Sequence, residues 1–457
     1  MRELPCGYAE FSRELFDSPS KHASFLYALS AGVPHRGMRA NLLKCTPEYL
    51  ADIYGDALCE NPFCEYGFVL RDDRYVSEDV RHFSGFFYMQ EPSASVVVEA
   101  FPPKNGDKVL DACAAPGGKT GQICALDPDG IVISNEYDRK RADVLCENVE
   151  RLGIRNCVVT SVDTSALSEK FVGYFDRVYV DAPCSGEGMF RKESAAIVNW
   201  SEDNVKKCAD RSASILENCS KTVRPGGYLA YSTCTFNTYE NERTIDAFLT
   251  KHPEFELVEP TDKIKAVSDR GINFAGALHD FDKAVRIFPT SGAGEGHFAV
   301  CMRKADGESS RVKEMKLPRI KQKSVSDGCY SEWTDEDMFG EYLEVGRGVN
   351  IVPAGLPDMS GLWVLACGVP FLNFSEKAPK PQFAFVRSLK KGHIKKAVEL
   401  SADSASLRAY LRGEEFKTDV PFSSYAAVTV DGYPVGAVKI SGGVAKNHLP
   451  KGLRFRF

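Results

Sequence analysis

The sequence predicts an α/β protein: a mostly parallel sheet with a terminal antiparallel hairpin, flanked by an N-terminal α+β portion and a C-terminal, mostly β domain. Two observations predict it. From about residue 91 to 304, short β-branched runs alternate with helical periods, the pattern of a parallel sheet layered with helices. Beyond about residue 325, glycines and aromatic residues separate short extended runs. At 457 residues the chain is too long for one ordinary domain.

Each element follows in order. Residues 1–90 combine an amphipathic helical pattern, Glu10 to Leu29, with strand-like runs such as Gly67 to Leu70. The central region, 91–304, offers strands at Lys108–Leu110, Ile131–Ser134, Val158–Ser161, Arg177–Val180 and Tyr228–Ser232. Helical patterns such as Arg139–Leu152 and Asn204–Thr222 lie between them. Two last runs, Ala284–Ile287 and His297–Met302, flank the Gly-rich SGAGEG and read as the antiparallel pair. A basic linker, 305–324, leads to the region 325–457, with strand runs at Trp363–Ala366, Phe383–Val386, Ala426–Val430 and Gly436–Ile440.

Composition narrows the class. A hydrophobic fraction of 43% and a charged fraction of 26% are those of a soluble globular protein. No apolar run is long enough to span a membrane, and MRELPCGYAEF lacks the apolar core of a secretory signal. A cytoplasmic, monomeric protein is expected. The 15 cysteines are scattered and form no Cys-x-x-Cys pair, so neither a metal site nor a disulfide framework is signalled. The net charge of -6 argues against a uniformly basic surface, but affinity for phosphates depends on local patches. Such patches exist between Arg303 and Lys323, in RSLKKGHIKK from Arg387 to Lys396, and after Asp431, where Lys439, Lys446, Lys451, Arg454 and Arg456 face no acidic residue in sequence. A solvated basic surface is the plain alternative.

The sharpest motif runs from Val109 to Thr120, VLDACAAPGGKT. An apolar strand ends at Asp111, small residues follow from Cys113 through Ala114, Ala115, Pro116, Gly117 and Gly118, and a helix begins near Lys119. Small residues let backbone approach a ligand at the carboxyl end of the first strand. A phosphate-binding P-loop would need Gly where Cys113 stands, and no G-x-G-x-x-G is present. The ligand therefore lacks a polyphosphate. Glu136, just past the second strand, stands where a carboxylate accepts ribose hydroxyls, and Asp163 follows the third strand, where it can meet an adenine. Singly, each is an ordinary strand-end carboxylate; in series they describe a nucleoside pocket.

Two cysteines end the next strands. Asp181 and Cys184 lie in YVDAPCSG, and Cys234 in YSTCT, so both thiols project over the same carboxyl face. Packing cysteines are the plain alternative, but a polar, turn-forming strand end suits a reactive thiol. Two thiols have a use at a pyrimidine ring. Carbon 5 of cytosine becomes nucleophilic once a thiolate has added at carbon 6. A carboxyl such as Asp181 stabilises the adduct at N3 and the amino group, and a second thiol can remove the carbon-5 proton before release.

The set DACAAPGGKT, NEYD, VDAPCSGEGMFRK and YSTCTFNTYENE resembles the Sun/Nop family of RNA 5-methylcytosine methyltransferases. The likeness spans about residues 36 to 304 and includes RANLLK from Arg39 and QEPSAS from Gln90. It implies a Rossmann-like class I methyltransferase core that uses S-adenosyl-L-methionine. It further implies Cys234 as nucleophile, Cys184 assisting release, the Cys113 to Lys119 loop with Glu136, Asp163 and Asp181 as the cofactor pocket, Arg141 near the ribose and Lys119 within reach of the target base. The layout is similar to that of bacterial ribosomal enzymes of the RsmF type, with an N-terminal RNA-binding portion, a PUA-like C-terminal domain, and ribosomal RNA or a ribosomal subunit as partner. One departure is Pro289-Thr290, where related chains often read Pro-His.

Other readings stay open. A DNA cytosine methyltransferase would use the Pro-Cys thiol as nucleophile and would leave the Ser-Thr-Cys-Thr motif unexplained. Transfer RNA is an alternative substrate, and a catalytically idle RNA-binding assembly factor an alternative class.

Overall fold

The computed structural model describes residues 2–71, 76–308, 312–316, 329–335, 340–374 and 380–455. Strands β1 (Gly37–Ala40), β2 (Leu58–Asn61), β3 (Cys64–Leu70) and β4 (Phe87–Met89) form an antiparallel sheet in the order β2-β3-β1-β4. The helical pattern expected over Glu10 to Leu29 is not one helix. A short helix, Tyr8–Phe11, passes into a 3-10 turn, Ser12–Leu15, and a second helix starts at Pro19 and ends at Ala31. Pro19 lacks an N–H and has a fixed φ, so it starts a helix far better than it continues one. Phe25 and Leu29 of this helix are buried with Tyr8, Phe190, Trp200, Phe236 and Phe288, bracing the segment that follows Cys234.

The central sheet holds β5 (Lys108–Asp111), β6 (Ile131–Asn135), β7 (Cys157–Thr160), β8 (Phe175–Asp181), β9 (Val223–Thr233), β10 (Phe255–Leu257), β11 (Asp269–Arg270), β12 (Val285–Ile287) and β13 (His297–Lys304). Strands β5 to β9 pair in parallel, while β13 runs antiparallel between β9 and β12. All residues of β6 and β7 are buried, as helices on both faces require. Asp111 stands opposite Tyr179, and Asp181 opposite Ser232. The carboxyl ends of β5, β8 and β9 thus lie side by side.

The C-terminal strands are β14 (Glu341–Val345), β15 (Gly348–Val352), β16 (Val364–Cys367), β17 (Val369–Asn373), β18 (Lys380–Pro381), β19 (Ala397–Glu399), β20 (Phe416–Lys417), β21 (Tyr425–Val430), β22 (Tyr433–Ser441) and β23 (Val444–Asn447). Strands β14, β15, β17 and β18 make one sheet, and β19 to β23 another, in the order β19-β21-β22-β23-β20. Asp431 (φ 53°) and Gly432 (φ 79°) turn β21 into β22, as a two-residue Asp-Gly hairpin demands.

Two C-terminal expectations are corrected. Phe383–Val386, expected as a strand, begins a helix that ends at Ser388, every residue of it buried. A short apolar run buried on all sides carries no period that separates helix from strand. The run at Trp363–Ala366 is a strand, β16, but it belongs to the central sheet: Val364 pairs with Thr160, and Cys367 with Val158, antiparallel to β7. Without it, the apolar strand β7 would present a bare edge. Of the basic linker, residues 309–311 and 317–324 lie outside the described residues. Among the described residues, no helix is long and apolar enough to cross a membrane.

Candidate active site

The loop after β5 is shaped by contacts that require small residues. Gly117 has φ +107°, and a Cβ there would stand 3.0 Å from Leu145 Cδ1. Asn135 donates to the carbonyls of Ala112 (3.3 Å) and Val162 (3.0 Å), tying together the loops that follow β5 and β7. Beneath the loop, Asp111 is fully buried and accepts from Thr120 Oγ1 at 2.7 Å. Burial pushes its carboxyl up to about 7, against the pull of Thr120 and Lys119.

Above the loop lies a cavity of about 890 Å³, lined among others by Cys113, Ala115, Glu136, Arg141, Asp163 and Asp181. Its volume falls in the range of small-molecule sites, roughly 300–1,000 Å³. Ala114, Pro116, Gly117, Gly118 and Lys119 belong to the expected cofactor loop without being among the cavity-lining residues. Glu136 is buried; its Oε1 accepts the Asp138 N–H at 3.0 Å, and Oε2 lies 3.4 Å from Arg141. Arg141 also donates to the Ala115 carbonyl at 2.8 Å. Asp163 caps the helix Thr164–Lys170 and accepts from the hydroxyl and N–H of Ser165, bonds that hold its carboxyl below the usual range. A loop of small residues, a buried carboxylate and a second carboxylate on one cavity fit a nucleoside-bearing sulfonium with no polyphosphate.

The thiols meet at the floor of the same cavity. Cys184 Sγ and Cys234 Sγ are 3.1 Å apart. The hydrogen bond to Cys234, together with burial, raises the Cys184 thiol well above its ordinary value. Beside them Lys119 Nζ lies 2.7 Å from Asp181 Oδ2, and Ser232 Oγ donates to Asp181 Oδ1 at 2.8 Å. Burial works against both charges. For Asp181, the Lys119 charge and the hydrogen bonds from Lys119 and Ser232 outweigh it and lower the carboxyl; for Lys119, the Asp181 carboxylate outweighs it and raises the amine. The ion pair therefore stays charged.

Two further carboxyls were not singled out from the sequence, although they sit inside its motifs. Glu187 accepts the N–H groups of Phe236 (2.6 Å) and Asn237 (3.0 Å), and Glu240 accepts that of Ser185 (2.8 Å). Each reaches from one cysteine loop to the other, so the two thiols are clamped in register. Burial pushes Glu240 up to about 7 against the hydrogen bond from Ser185. Acids in glycine- and asparagine-rich motifs are the signal that could have found them.

The basic run at 387–396 divides in two. Arg387 is 2% exposed, donates to the Phe83 carbonyl and lies over the rings of Phe83 (4.9 Å) and Phe383 (5.1 Å). It is a packing residue, which corrects its expected contact with phosphates. Lys390, Lys391 and Lys395 are exposed. Arg456 lies outside the described residues. Among the described residues no group of side chains is arranged to hold a metal ion.

A parallel sheet in this order, with a cavity at the carboxyl ends of its strands and two thiols in the loops just after β8 and β9, is that of an S-adenosylmethionine-dependent class I methyltransferase with paired cysteines. Residues 98–303 match the model of the 16S rRNA methyltransferases RsmB/F, residues 4–92 the N-terminal domain of 16S rRNA methyltransferase RsmF, and residues 395–455 the PUA domain of methyltransferase RsmF. The chain belongs to this RsmB/F family. The ribosomal RNA small subunit methyltransferase F of Pectobacterium atrosepticum is 32% identical over 98% of this chain and 96% of its own. That of Erwinia tasmaniensis is 28% identical with the same coverage. A solved methyltransferase homologue from Pyrococcus horikoshii is 25% identical, with a TM-score of 0.56, over 65% of this chain and 94% of that one. NSun6 from the same organism, solved with SFG, shares the fold at 20% identity and a TM-score of 0.56, over 66% of this chain and 99% of that one.

Proposed function

We propose that the chain methylates carbon 5 of cytosine in small-subunit ribosomal RNA, with Cys234 as covalent nucleophile. The observation that carries this reading is the 3.1 Å contact of Cys184 with Cys234 beside the Lys119–Asp181 pair. Bound S-adenosylmethionine supplies the electrophilic methyl group, held by the 113–119 loop, Glu136, Asp163, Asp181 and Arg141. Cys234 sulfur adds to carbon 6 of the flipped base, which makes carbon 5 electron-rich. Asp181 accepts from the ring amino group, and Lys119 donates to the ring as negative charge develops. After carbon 5 is methylated, its proton passes to a water held by the Cys184 thiol, which in this way assists release. The C6–S bond then breaks, the ring regains aromaticity, and Cys234 leaves as thiolate.

The working divisions are 1–90 and 325–457 for RNA engagement, 91–304 for methyl transfer and 305–324 as the basic connection. The enzyme acts as a monomer in the cytoplasm. Methyl transfer from labelled cofactor to small-subunit RNA and to the assembled subunit, followed by bisulfite sequencing of RNA from a deletion strain, tests the reading. Label in transfer RNA alone would move the substrate, and label in no RNA would remove the activity.

A further inference from the structure

One side chain buried against the Lys119–Asp181 pair has no part in the chemistry above. His297 opens β13 at the point where Phe298 pairs with Thr233, the residue before Cys234. It is 4% exposed. Its Nε2 lies 3.8 Å from Asp181 Oδ1 and has no hydrogen-bond partner among the described residues. A buried polar atom without a partner is unfavourable, and such atoms in native proteins call for an explanation. Burial and the Lys119 charge hold the ring neutral, pulling it down to about 3, although Asp181 pulls the other way. A neutral imidazole carries one N–H, and beside a carboxylate the tautomer with hydrogen on Nε2 is favoured.

We propose that His297 is a positioning residue for Asp181, donating from Nε2 to Oδ1 when the target base engages the carboxylate. In the structure Asp181 spends Oδ2 on Lys119 and Oδ1 on Ser232. A base that draws on Oδ2 loosens the bond to Lys119 just where the carboxylate must stay ionised and fixed in plane. The gap to His297 is about 1 Å longer than a hydrogen bond, within the reach of a small rotation of the Asp181 side chain. Closure gives the carboxylate a second donor on Oδ1 and gives the imidazole its missing partner. The charged groups facing this spot are Lys119 from the helix Gly118–Leu126 and Asp181 from β8, with Asp111 of β5 behind them. The inference rests on Asp181 meeting the base.

The test compares His297→Phe, His297→Gln and Asp181→Asn by kcat and KM on the RNA substrate, by the pH profile of kcat, by cofactor calorimetry and by thermal melting. His297→Phe should lower kcat about ten- to a hundred-fold with cofactor affinity unchanged. Its acid limb should move to higher pH, because a carboxylate that loses a donor is easier to protonate. His297→Gln, which keeps an N–H, should restore most of kcat and the original limb. Wild-type kcat and acid limb in His297→Phe would overturn the inference. So would equal losses in the Phe and Gln variants with lowered melting and an unmoved limb, the signature of packing alone. Full activity in Asp181→Asn would instead remove the reading of Asp181 itself.

Discussion

Cys184 and Cys234, 50 residues apart in the chain, bring their sulfurs to 3.1 Å because β8 and β9 are neighbours with Asp181 opposite Ser232. Contact at that range lets one thiol attack and the other assist, and the two alanine variants should fail differently. Cys234→Ala forms no adduct and should transfer no methyl group. Cys184→Ala still attacks, so a protein–RNA complex that survives denaturing electrophoresis should accumulate. The double variant should trap nothing. A trapped complex in Cys234→Ala would hand the nucleophilic role to Cys184.

The carboxylates of the cofactor cavity separate by their second duties. Glu136→Ala should weaken cofactor binding about ten- to a hundred-fold, the loss of a charged hydrogen-bond partner. Asp163→Ala should do the same and also lose a helix cap, about 1 kcal/mol of stability. Asp163→Asn keeps the cap, so it should melt near wild type yet still bind the cofactor more weakly. Isothermal calorimetry beside melting curves reads both effects; unchanged affinity in all three variants would take these residues out of the pocket.

Basic residues near one another in sequence should part company in experiment. Lys390→Ala, Lys391→Ala and Lys395→Ala combined should weaken RNA binding and reduce the salt slope by about 2–3, near one per phosphate contact. Arg387→Ala should leave that slope alone and lower the melting temperature, since its guanidinium is packed between two phenylalanines. Binding measured from 50 to 300 mM salt, a range chosen as roughly that over which phosphate contacts are screened, decides it. A flattened slope in Arg387→Ala would return it to the RNA surface.

Asp111 gives a pH signature. Its native carboxyl, at about 7, lies above the 3.8 of an unfolded chain, so the folded state keeps a proton that the unfolded state sheds between those values. Stability should fall as pH rises through that window, by about 1.4 kcal/mol per pKa unit of the shift. Asp111→Asn carries no such proton, so the difference in melting temperature between it and wild type should grow in the variant's favour from pH 4 to pH 7, a window that follows from that shift. Parallel melting curves would show that burial does not hold the proton there.

Much of this site was readable from local patterns, and the reason is geometric. In a parallel sheet each functional group sits at or just past the end of its own strand, so Asp111, Glu136, Asp163, Asp181 and Cys234 appear in chain order after apolar runs. What local patterns do not carry is which surface becomes covered. Arg387 looks like its lysine neighbours until Phe83 and Phe383 are placed around it, and Phe383–Ser388 has too few residues to reveal a helical period. His297 stands alone in an apolar strand, and only the pairing of β13 with β9 brings it to Asp181. The clamp of Glu187 and Glu240 likewise exists only once the two cysteine loops face each other.

The pairing of β16 with β7 sets a timetable for synthesis. Every other strand of the central sheet has been made by Lys304, but the outer neighbour of β7 arrives only with Val364–Cys367. Roughly two hundred residues separate β7 from that partner, so at about 5–20 residues per second the open edge waits on the order of 10–40 s while translation continues. Through that interval the loop bearing Asp163 lacks the Ser161 N–H bond to the Trp363 carbonyl that the finished chain makes at 3.0 Å. A nascent chain therefore closes the outer edge of its central sheet only late in its own translation, after both thiols and the loop at 113–119 have long since emerged.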